Sequence, residues 1–274
     1  LEVVGLINVQ FAVKKIGDAE QAFVIEANPR ASRTVPFVAK ATGVPLVKVA
    51  ARVMLGESLA DLRHSGVLNE KTTSRHISVK EAVLPFNRFP MTDAVLGPEM
   101  RSTGEVMGVD MTPGLAFAKS QLGSGMLLPT EGTVFMSLAD RDKVAGAEAG
   151  KLLQGLGFSI AATIGTAEAL EASGVDVAVR VAKLEEDTGT NAVELIESGK
   201  VQLVINSPRG RGPRADGAHI RRAAGERGIP LLTTAAAGLA AANGMVDWAH
   251  HALRVRSLQE YHRGATDDQL TLEV

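Results

Sequence analysis

The sequence predicts an α/β protein in which the second half of the chain forms a five-stranded parallel sheet with helices on both faces. The main observation is that short apolar runs alternate regularly with amphipathic helical segments from Thr133 onward. Such alternation is typical of right-handed β–α–β crossovers, which produce parallel sheets covered by helices. The first part of the chain lacks this alternation and shows two β-rich runs around a polar stretch, so a separate, smaller unit is expected there.

The amino-terminal part predicts a β-hairpin followed by two helices. Apolar runs at residues 3–13 and 22–27 flank the polar stretch KKIGDAEQ, which is a hairpin signal. Apolar positions at helical spacing then begin at Pro36, stop at TGVP and resume in LVKVAARVML. Residues 57–125 give mixed signals and contain one clear helix, LAFAKSQLG, before the motif GSG. A domain boundary is predicted at that motif.

The second half of the chain predicts five strands and four intervening helices. The strands are expected at residues 133–139, 158–164, 177–182, 201–207 and 230–234, and the helices at 142–156, 166–173, 191–199 and 218–228. In open parallel sheets, ligands bind beyond the carboxyl ends of the strands. Polar residues at those ends are therefore the first candidates for a site.

Composition narrows the class of protein. Lys and Arg total 29 against 31 Asp and Glu, so the overall charge favours neither nucleic acid nor a membrane surface as a partner. There is no cysteine, which excludes disulfides and fits a cytoplasmic location. No apolar stretch is long enough to span a bilayer. The chain begins at Leu1 within a strand-like run, so we expect a piece of a larger protein.

Oxygen donors and arginines cluster at the end of the predicted hairpin. Gln10 lies in the first run, and Glu26 and Asn28 finish the second, so strand pairing is expected to bring the three to one face. Oxygen donors beside Arg30 and Arg33 suit Mg²⁺ bridged to nucleotide phosphates. The spacing alone is equally consistent with a Glu–Arg salt bridge at a strand exit.

Small hydroxyl and cationic side chains recur at the predicted strand ends of the second half. Thr163 and Thr166 lie where a strand passes into a helix, an arrangement that offers N–H groups to an anion. Singly, each threonine is also explained as a helix cap and each lysine as a solvated side chain. The other residues at these ends are Lys143, Lys183, Asn206, Ser207, Thr233 and Thr234.

Motifs along the whole chain resemble one family. NVQFAV followed by FVIEANPRASRTVPFVAKATGVPLVKVAARVMLGESL resembles the end of the second ATP-grasp unit of the carbamoyl phosphate synthetase large chain. The resemblance continues through SVKEAVLPFNRFP and LGPEMRSTGEVMGVD. The alternating region is similar to the allosteric domain of the same family, which is of the methylglyoxal synthase-like, Rossmann-like type.

For the first part, the resemblance implies an incomplete ATP-grasp subdomain at residues 1–63, a connecting segment at 64–125, an allosteric domain at 126–262 and a polar tail at 263–274. It implies ATP and Mg²⁺ or Mn²⁺ as cofactors, and phosphorylation of carbamate in the intact enzyme. The half of the ATP site that grips the phosphates is absent from this sequence, so the chain is expected to be inactive alone. Gln10, Glu26 and Asn28 match metal ligands, and Arg30 and Arg33 match catalytic arginines near the phosphates.

The resemblance also implies partners and effectors. The expected partners are a small amidotransferase chain, which releases ammonia from glutamine, and the rest of the large chain; self-association stays open. The expected effectors are uridine or inosine monophosphate, bound by Lys143, Thr163, Thr166, Lys183, Asn206 and Ser207, and an ornithine-type ligand near Glu81 and Thr233.

Two departures from the family pattern affect the expected nucleotide site. Pro208 replaces a hydroxyl residue in the motif that begins at Asn206, and proline has no N–H to donate. Ile164 replaces a histidine. These changes alter the groups that this site offers to an effector.

Other functions are less consistent with the sequence. A stand-alone lyase of the methylglyoxal synthase kind would explain the second half of the chain but leave the first part without a role. A third hypothesis is that the isolated chain is a non-catalytic nucleotide sensor. The arginine run at 209–222 lacks the aromatic residues that would stack on nucleic acid, and the six histidines show no zinc-binding spacing.

Overall fold

The structure is a computed structural model that describes residues 1–68, 75–83, 104–182, 191–207 and 216–263. The chain divides into two compact units. The first comprises Leu1–Arg75 and the segment that follows Arg254, and the second comprises His76–Arg254. The boundary predicted between residues 125 and 126 falls inside the second unit. Lys183, Pro208 and nearly all of the predicted tail lie outside the described residues.

The first unit contains the predicted hairpin followed by helices. Strands β1 (Asn8–Ile16) and β2 (Ala19–Asn28) pair antiparallel, and Gly17 takes a φ of 62° in the turn, where a side chain would be strained. The helices are α1 (Thr34–Thr42), α2 (Leu46–Met54) and α3 (Leu59–His64). The first two are as predicted. The sequence reading missed α3, which Ser58 caps by accepting a hydrogen bond from the Asp61 N–H.

The hairpin exposes apolar side chains to an unusual degree. Val13 is 65% exposed on β1, and Val24 and Ile25 are 62% and 60% exposed on β2. Because successive residues of a strand point to opposite faces, Val24 and its neighbour Phe23, which is 43% exposed, show that both faces of the hairpin are exposed. A two-stranded hairpin with no cover is marginal in water. Among the described residues of this unit, the apolar surface of the hairpin therefore has little packing.

The second unit begins with a hairpin and a helix, of which only the helix was predicted from the sequence. Strands β3 (Ile77–Val83) and β4 (Gly104–Asp110) pair antiparallel, and α4 (Pro113–Gly123) packs against them. The helix matches the predicted segment LAFAKSQLG, whereas the two strands were missed. Thr112 starts the helix by accepting a hydrogen bond from the Leu115 N–H.

The core of the second unit is a five-stranded parallel sheet, as predicted. Its strands are β5 (Thr133–Ser137), β6 (Ser159–Thr163), β7 (Val179–Val181), β8 (Leu203–Asn206) and β9 (Leu231–Leu232). Their order is β7-β6-β5-β8-β9, and every neighbouring pair is parallel. All five lie within the predicted ranges. The chain reverses the direction in which it adds strands between β7 and β8, so β5 and β8 flank the topological switch point.

Helices cover both faces of this sheet. They are α5 (Lys143–Gly155), α6 (Ile164–Ala172), α7 (Ala192–Glu197), α8 (Asp216–Glu226) and α9 (Ala235–His250). Val134 and Met136 of β5 pack in a cluster with α5, α6 and α9, whereas Phe135 packs in a second cluster with α7 and α8. The prediction of helices on both faces is confirmed. Helix α9 was missed, and so was α10 (Leu258–Arg263), which contacts α1 in the first unit.

A half-buried lysine holds the end of the second unit in place. The Lys119 ammonium forms an ion pair with Asp110 at 2.6 Å and donates to the carbonyl oxygens of Val109, at 3.2 Å, and Arg254. The three protons of an ammonium group can thus all be used. Helix α4 is thereby tied both to β4 and to the last residue of the unit.

The backbones of α4 and α9 approach each other closely. A Cβ atom on Gly244 would lie 2.8 Å from the Gly114 carbonyl oxygen, and one on Gly114 would lie 2.4 Å from the Asp247 carboxylate. Thr112 donates a hydrogen bond to that carboxylate at 2.6 Å, which fixes the crossing. Glycine is required at this contact for space rather than for backbone conformation.

No single helix among the described residues is long and apolar enough to cross a membrane. Helices α1 and α2 pass the test of length and composition only when taken together, and they are bent by 111°.

We predict that Gly244→Ala lowers the free energy of unfolding by about 1–3 kcal/mol, because the added methyl group meets a backbone carbonyl that cannot move away. The matched control is Gly225→Ala on α8, where an added Cβ meets nothing within 4 Å. That change is expected to be neutral or to stabilise by up to about 1 kcal/mol through helix propensity. Urea unfolding of both variants measures the difference, and equal effects would contradict the packing argument.

Candidate functional site

The exit of β5 is held by two side-chain hydroxyl groups. The Leu138 N–H donates to Thr166 Oγ1 at 3.0 Å, and the Ala139 N–H donates to Ser207 Oγ at 2.9 Å. Thr166 and Ser207 are 1% and 4% exposed, so both contacts are buried. Two predicted site residues therefore satisfy backbone groups at the point where the central strand loses its sheet partners.

Asn206, at the end of β8, is fixed on both sides of its amide. Its Nδ2 donates to the Ser137 carbonyl oxygen at 3.2 Å, and its Oδ1 accepts a hydrogen bond from Arg221 Nη1 at 2.7 Å. Asn206 is 2% exposed and Arg221 is 4% exposed. The sequence reading did not single out Arg221, which it grouped with the arginine run. Its position beside Ile220 and Ala224 on one apolar helix face was the available signal.

Thr163 and Lys143 are the more accessible members of the predicted set. The Thr163 hydroxyl donates to Thr166 Oγ1 at 3.1 Å and makes no cap bond to α6. The helix-cap explanation therefore does not apply to Thr163. Lys143, the first residue of α5, forms an ion pair with Asp140 at 2.8 Å. Ile164, where the family pattern has a histidine, is 41% exposed beside this edge.

The five described residues of the predicted nucleotide set thus gather where β5, β6 and β8 end. Two helices, α5 and α6, begin at the same edge, and helix N-termini attract anions through unpaired N–H groups. Lys143 and Arg221 add positive charge. The edge has the chemistry to hold a phosphate group. Thr166 and Ser207 hold the backbone there, whereas Lys143 and Thr163 are the more exposed members of the set.

The oxygen donors of the first unit also come together. In the hairpin register Gln10 pairs directly with Glu26, and Asn28 lies two residues further along β2, on the same face. The Asn28 amide nitrogen donates to Glu26 Oε1 at 2.9 Å, which turns the amide oxygen of Asn28 away from that carboxylate oxygen. Carboxylate and amide oxygens fit Mg²⁺ or Mn²⁺.

The arginines follow this group closely in the chain. Arg30 donates to the Ala31 carbonyl oxygen at 3.1 Å, and Arg33 occupies the cap position of α1. The partner of Glu26 is an asparagine amide rather than either arginine, unlike the salt bridge that the spacing also allowed.

Glu81 and Thr233 belong to different elements of the second unit. Glu81, on β3, accepts a hydrogen bond from Gln121 Nε2 of α4 at 3.1 Å. Partial burial raises the pKa of the Glu81 carboxyl above its ordinary value, although this hydrogen bond and one from the Ala82 backbone act in the opposite direction. Thr233 lies at the start of α9, about three helical turns from the contact between Gly244 and α4. The neighbouring Thr234 is a helix cap that accepts from the Ala237 N–H.

A pocket of about 710 Å³ lies at the opposite edge of the sheet, where β8 and β9 begin. Trp248, Leu122 and Leu127 line it together with the residues that precede the two strands. The lining is mostly apolar and contains no charged side chain. It does not suit a phosphate, so the charged edge at the strand ends is the better candidate for an anion.

Comparison with known proteins identifies two domains. Residues 1–62 match the family described as "Carbamoyl-phosphate synthase L chain, ATP binding domain", and residues 146–233 match the "MGS-like domain" family. The first match contains the hairpin with its oxygen donors. The second contains most of the parallel sheet, including the exits of β6 and β8.

Curated relatives extend the likeness to nearly the whole chain. A carbamoyl phosphate synthase large chain of Rhodopirellula baltica is 49% identical over 94% of this chain and 23% of its own length. Those of Synechocystis and Methanothermobacter thermautotrophicus are 47% and 49% identical over 95% and 96% of this chain. The chain therefore spans about a quarter of the length of these relatives: 23% of the Synechocystis protein and 24% of the Methanothermobacter protein.

We predict a pH dependence of stability from Glu81. A carboxyl whose pKa is higher in the folded state than in the unfolded state stabilises the protein fully below the unfolded value, and this contribution is lost as the pH rises through the folded value. Glu81→Gln mimics the neutral form and keeps an acceptor for Gln121. The variant should therefore gain stability relative to the wild type as the pH rises from 4 to 7.

Urea unfolding at several pH values measures this difference. Glu148→Gln, an exposed change on α5, corrects for the general effect of removing one negative charge. A difference between Glu81→Gln and the wild type that does not change with pH would contradict the raised pKa of Glu81.

Proposed function

The chain is a relative of the carbamoyl phosphate synthase large chains, and from this premise we propose that it supplies two parts of such a ligase. The first unit provides metal and phosphate ligands of a carbamate-phosphorylating ATP site. The second provides a regulatory domain that binds a nucleotide effector. The observation that carries the proposal is the gathering of hydroxyl, amide and cationic groups at the switch point of the parallel sheet.

The chemistry of that edge supports a phosphate-bearing effector. The Thr166 hydroxyl oxygen accepts from the Leu138 N–H and from the Thr163 hydroxyl, which holds the Thr163 side chain at this edge. Lys143 supplies a cation that an incoming phosphate would share with Asp140. Uridine and inosine monophosphate both carry the required dianionic group. Lys183 completes the set proposed from the sequence, together with Thr163, Asn206 and Ser207.

The exposed hairpin supports the first part of the proposal. Glu26, Asn28 and Gln10 present oxygen donors from one face of a hairpin whose apolar residues lack cover. In an intact large chain, the rest of the ATP-binding unit is the natural occupant of that apolar surface. The isolated chain then lacks the groups that would grip the remaining phosphates and has no ligase activity of its own.

In the intact enzyme, ATP supplies the phosphoryl group and Mg²⁺ or Mn²⁺ neutralises charge on it. Glu26, Asn28 and Gln10 would hold the metal through their side-chain oxygens. Arg30 and Arg33 follow these residues in the chain, and their guanidinium groups would balance the charge that develops on the transferring phosphoryl oxygens.

The proposed partners are a small amidotransferase chain, which supplies ammonia from glutamine, and the rest of the large chain, in the cytoplasm. An ornithine-type effector near Glu81 and Thr233 is also proposed. A stand-alone lyase of the methylglyoxal synthase kind is disfavoured, because residues 1–62 match an ATP-binding domain for which that reaction has no use.

We predict that the chain binds uridine or inosine monophosphate in calorimetric titration. Lys143→Ala should weaken binding by about 10- to 100-fold, the scale of one charge-assisted hydrogen bond. Lys151→Ala, an exposed change two turns along the same helix, is the matched control and should leave binding unchanged. Equal effects of the two changes, or binding of neither nucleotide, would contradict the proposed effector site.

We further predict that Glu26→Gln in the intact large chain lowers carbamoyl phosphate synthesis about 100-fold or more, because it removes the one carboxylate of the metal group. Glu20→Gln, at the far end of β2 opposite Lys15, is the matched control. The test is the rate of carbamoyl phosphate synthesis by the two variants at saturating ATP and Mg²⁺. Nucleotide binding by the second unit should be unaffected by either change.

A further inference from the structure

A buried arginine lies directly behind the proposed effector site. Arg221 is on α8, is 4% exposed, and donates to Asn206 Oδ1 at 2.7 Å. A guanidinium group stays charged at any pH at which the protein is folded, so burying it requires good acceptors. One of those acceptors is the amide oxygen of a residue assigned above to the effector site.

We propose that Arg221 is the positioning residue that fixes the orientation of the Asn206 amide and so presets the site for an anion. This inference rests on the proposed regulatory function and deepens it. Arg221 acts through Asn206 and need not touch the effector.

The argument begins with the ambiguity of an amide. The oxygen and nitrogen of an asparagine side chain are nearly equal in size, and a half-turn exchanges an acceptor for a donor. A guanidinium group only donates, so it admits only the oxygen of Asn206 on its side. The nitrogen must then face the end of β5, where it donates to the Ser137 carbonyl oxygen at 3.2 Å.

The fixed amide has a chemical consequence for a ligand. Asn206 Oδ1 already accepts from a charged donor, and one of the two Nδ2 protons is used at Ser137. The second Nδ2 proton is the group left to meet a ligand, and it bonds only to an acceptor. A phosphate or carbonyl oxygen fits that requirement, whereas an ammonium group does not.

Gly217 provides a second, independent observation. A Cβ atom on Gly217 would lie 2.6 Å from Arg221 Nη1 and 3.2 Å from Asn206 Oδ1. The start of α8 therefore runs directly along this hydrogen bond and holds it in place. Gly217→Ala displaces the guanidinium group without removing its charge, which separates the effect of position from the effect of charge.

The test is calorimetric titration with whichever of uridine and inosine monophosphate the wild-type chain binds, and with the matching nucleoside. Arg221→Met should weaken nucleotide binding about tenfold, the scale of one hydrogen bond to a charged group. Arg221→Lys, which can still donate to Oδ1, should restore most of it. Gly217→Ala should fall between these values. Thermal unfolding of each variant identifies any that is not folded, in which case Arg221→Lys and Gly217→Ala carry the test.

A double-mutant cycle distinguishes positioning from an independent role. If Arg221 acts through Asn206, then Arg221→Met should weaken binding less than twofold in a chain that already carries Asn206→Ala. The proposal would be overturned if the losses of affinity from Arg221→Met and Asn206→Ala multiplied in the double variant. It would also be overturned if folded Arg221→Lys bound the nucleotide as weakly as folded Arg221→Met.

A wild-type chain that binds neither nucleotide would remove the proposed function but not decide the role of Arg221. The side-chain amide signals of Asn206 in an ¹⁵N-labelled chain decide it without a ligand. They should be protected from solvent exchange in the wild type and lose protection in Arg221→Met. Protection that survives the change would show that Arg221 does not hold the amide.

Discussion

The second unit depends on a central strand that is buried on both faces. Val134 and Met136 of β5 pack into one apolar cluster and Phe135 into the other, so a strand of five residues joins two helical layers. Such a strand cannot be exposed on either side, which forces crossover helices to both faces of the sheet. The same constraint places β6 and β8 on its two sides and leaves an open edge where the three strands end.

Much of this fold was predictable because apolar runs and helical segments alternate in the sequence. Helix α9 was not predicted, because its sequence, AAAGLAAANGMVDWAH, is rich in alanine and glycine and shows little apolar periodicity. Its small residues are explained only by the structure, in which Gly244 lies against the Gly114 carbonyl oxygen. Strands β3 and β4 were not predicted, because a long connection separates them and the sequence patterns that predict hairpins depend on short turns.

The candidate sites show a similar limit. The predicted hairpin brings Gln10, Glu26 and Asn28 to one face, but only because the register shifts between Gln10 and Phe11, which strand alternation alone does not predict. Strand alternation also could not predict that Thr166 and Ser207 would be almost fully buried and bonded to the backbone, because sequence gives the residue at a strand end but not the partner of its hydroxyl group. The role of Arg221 was not predicted for the same reason, because the sequence does not distinguish a buried arginine from a solvated one.

The hydroxyl groups at the β5 exit have a consequence for cooperativity. Thr166 belongs to the segment after β6 and Ser207 to the segment after β8, so the exit is complete only when both neighbouring strands have docked. A ligand held there binds the assembled sheet and not its separate parts, which links occupancy to the global unfolding equilibrium of the unit. The edge is thus complete only in chains that have finished folding.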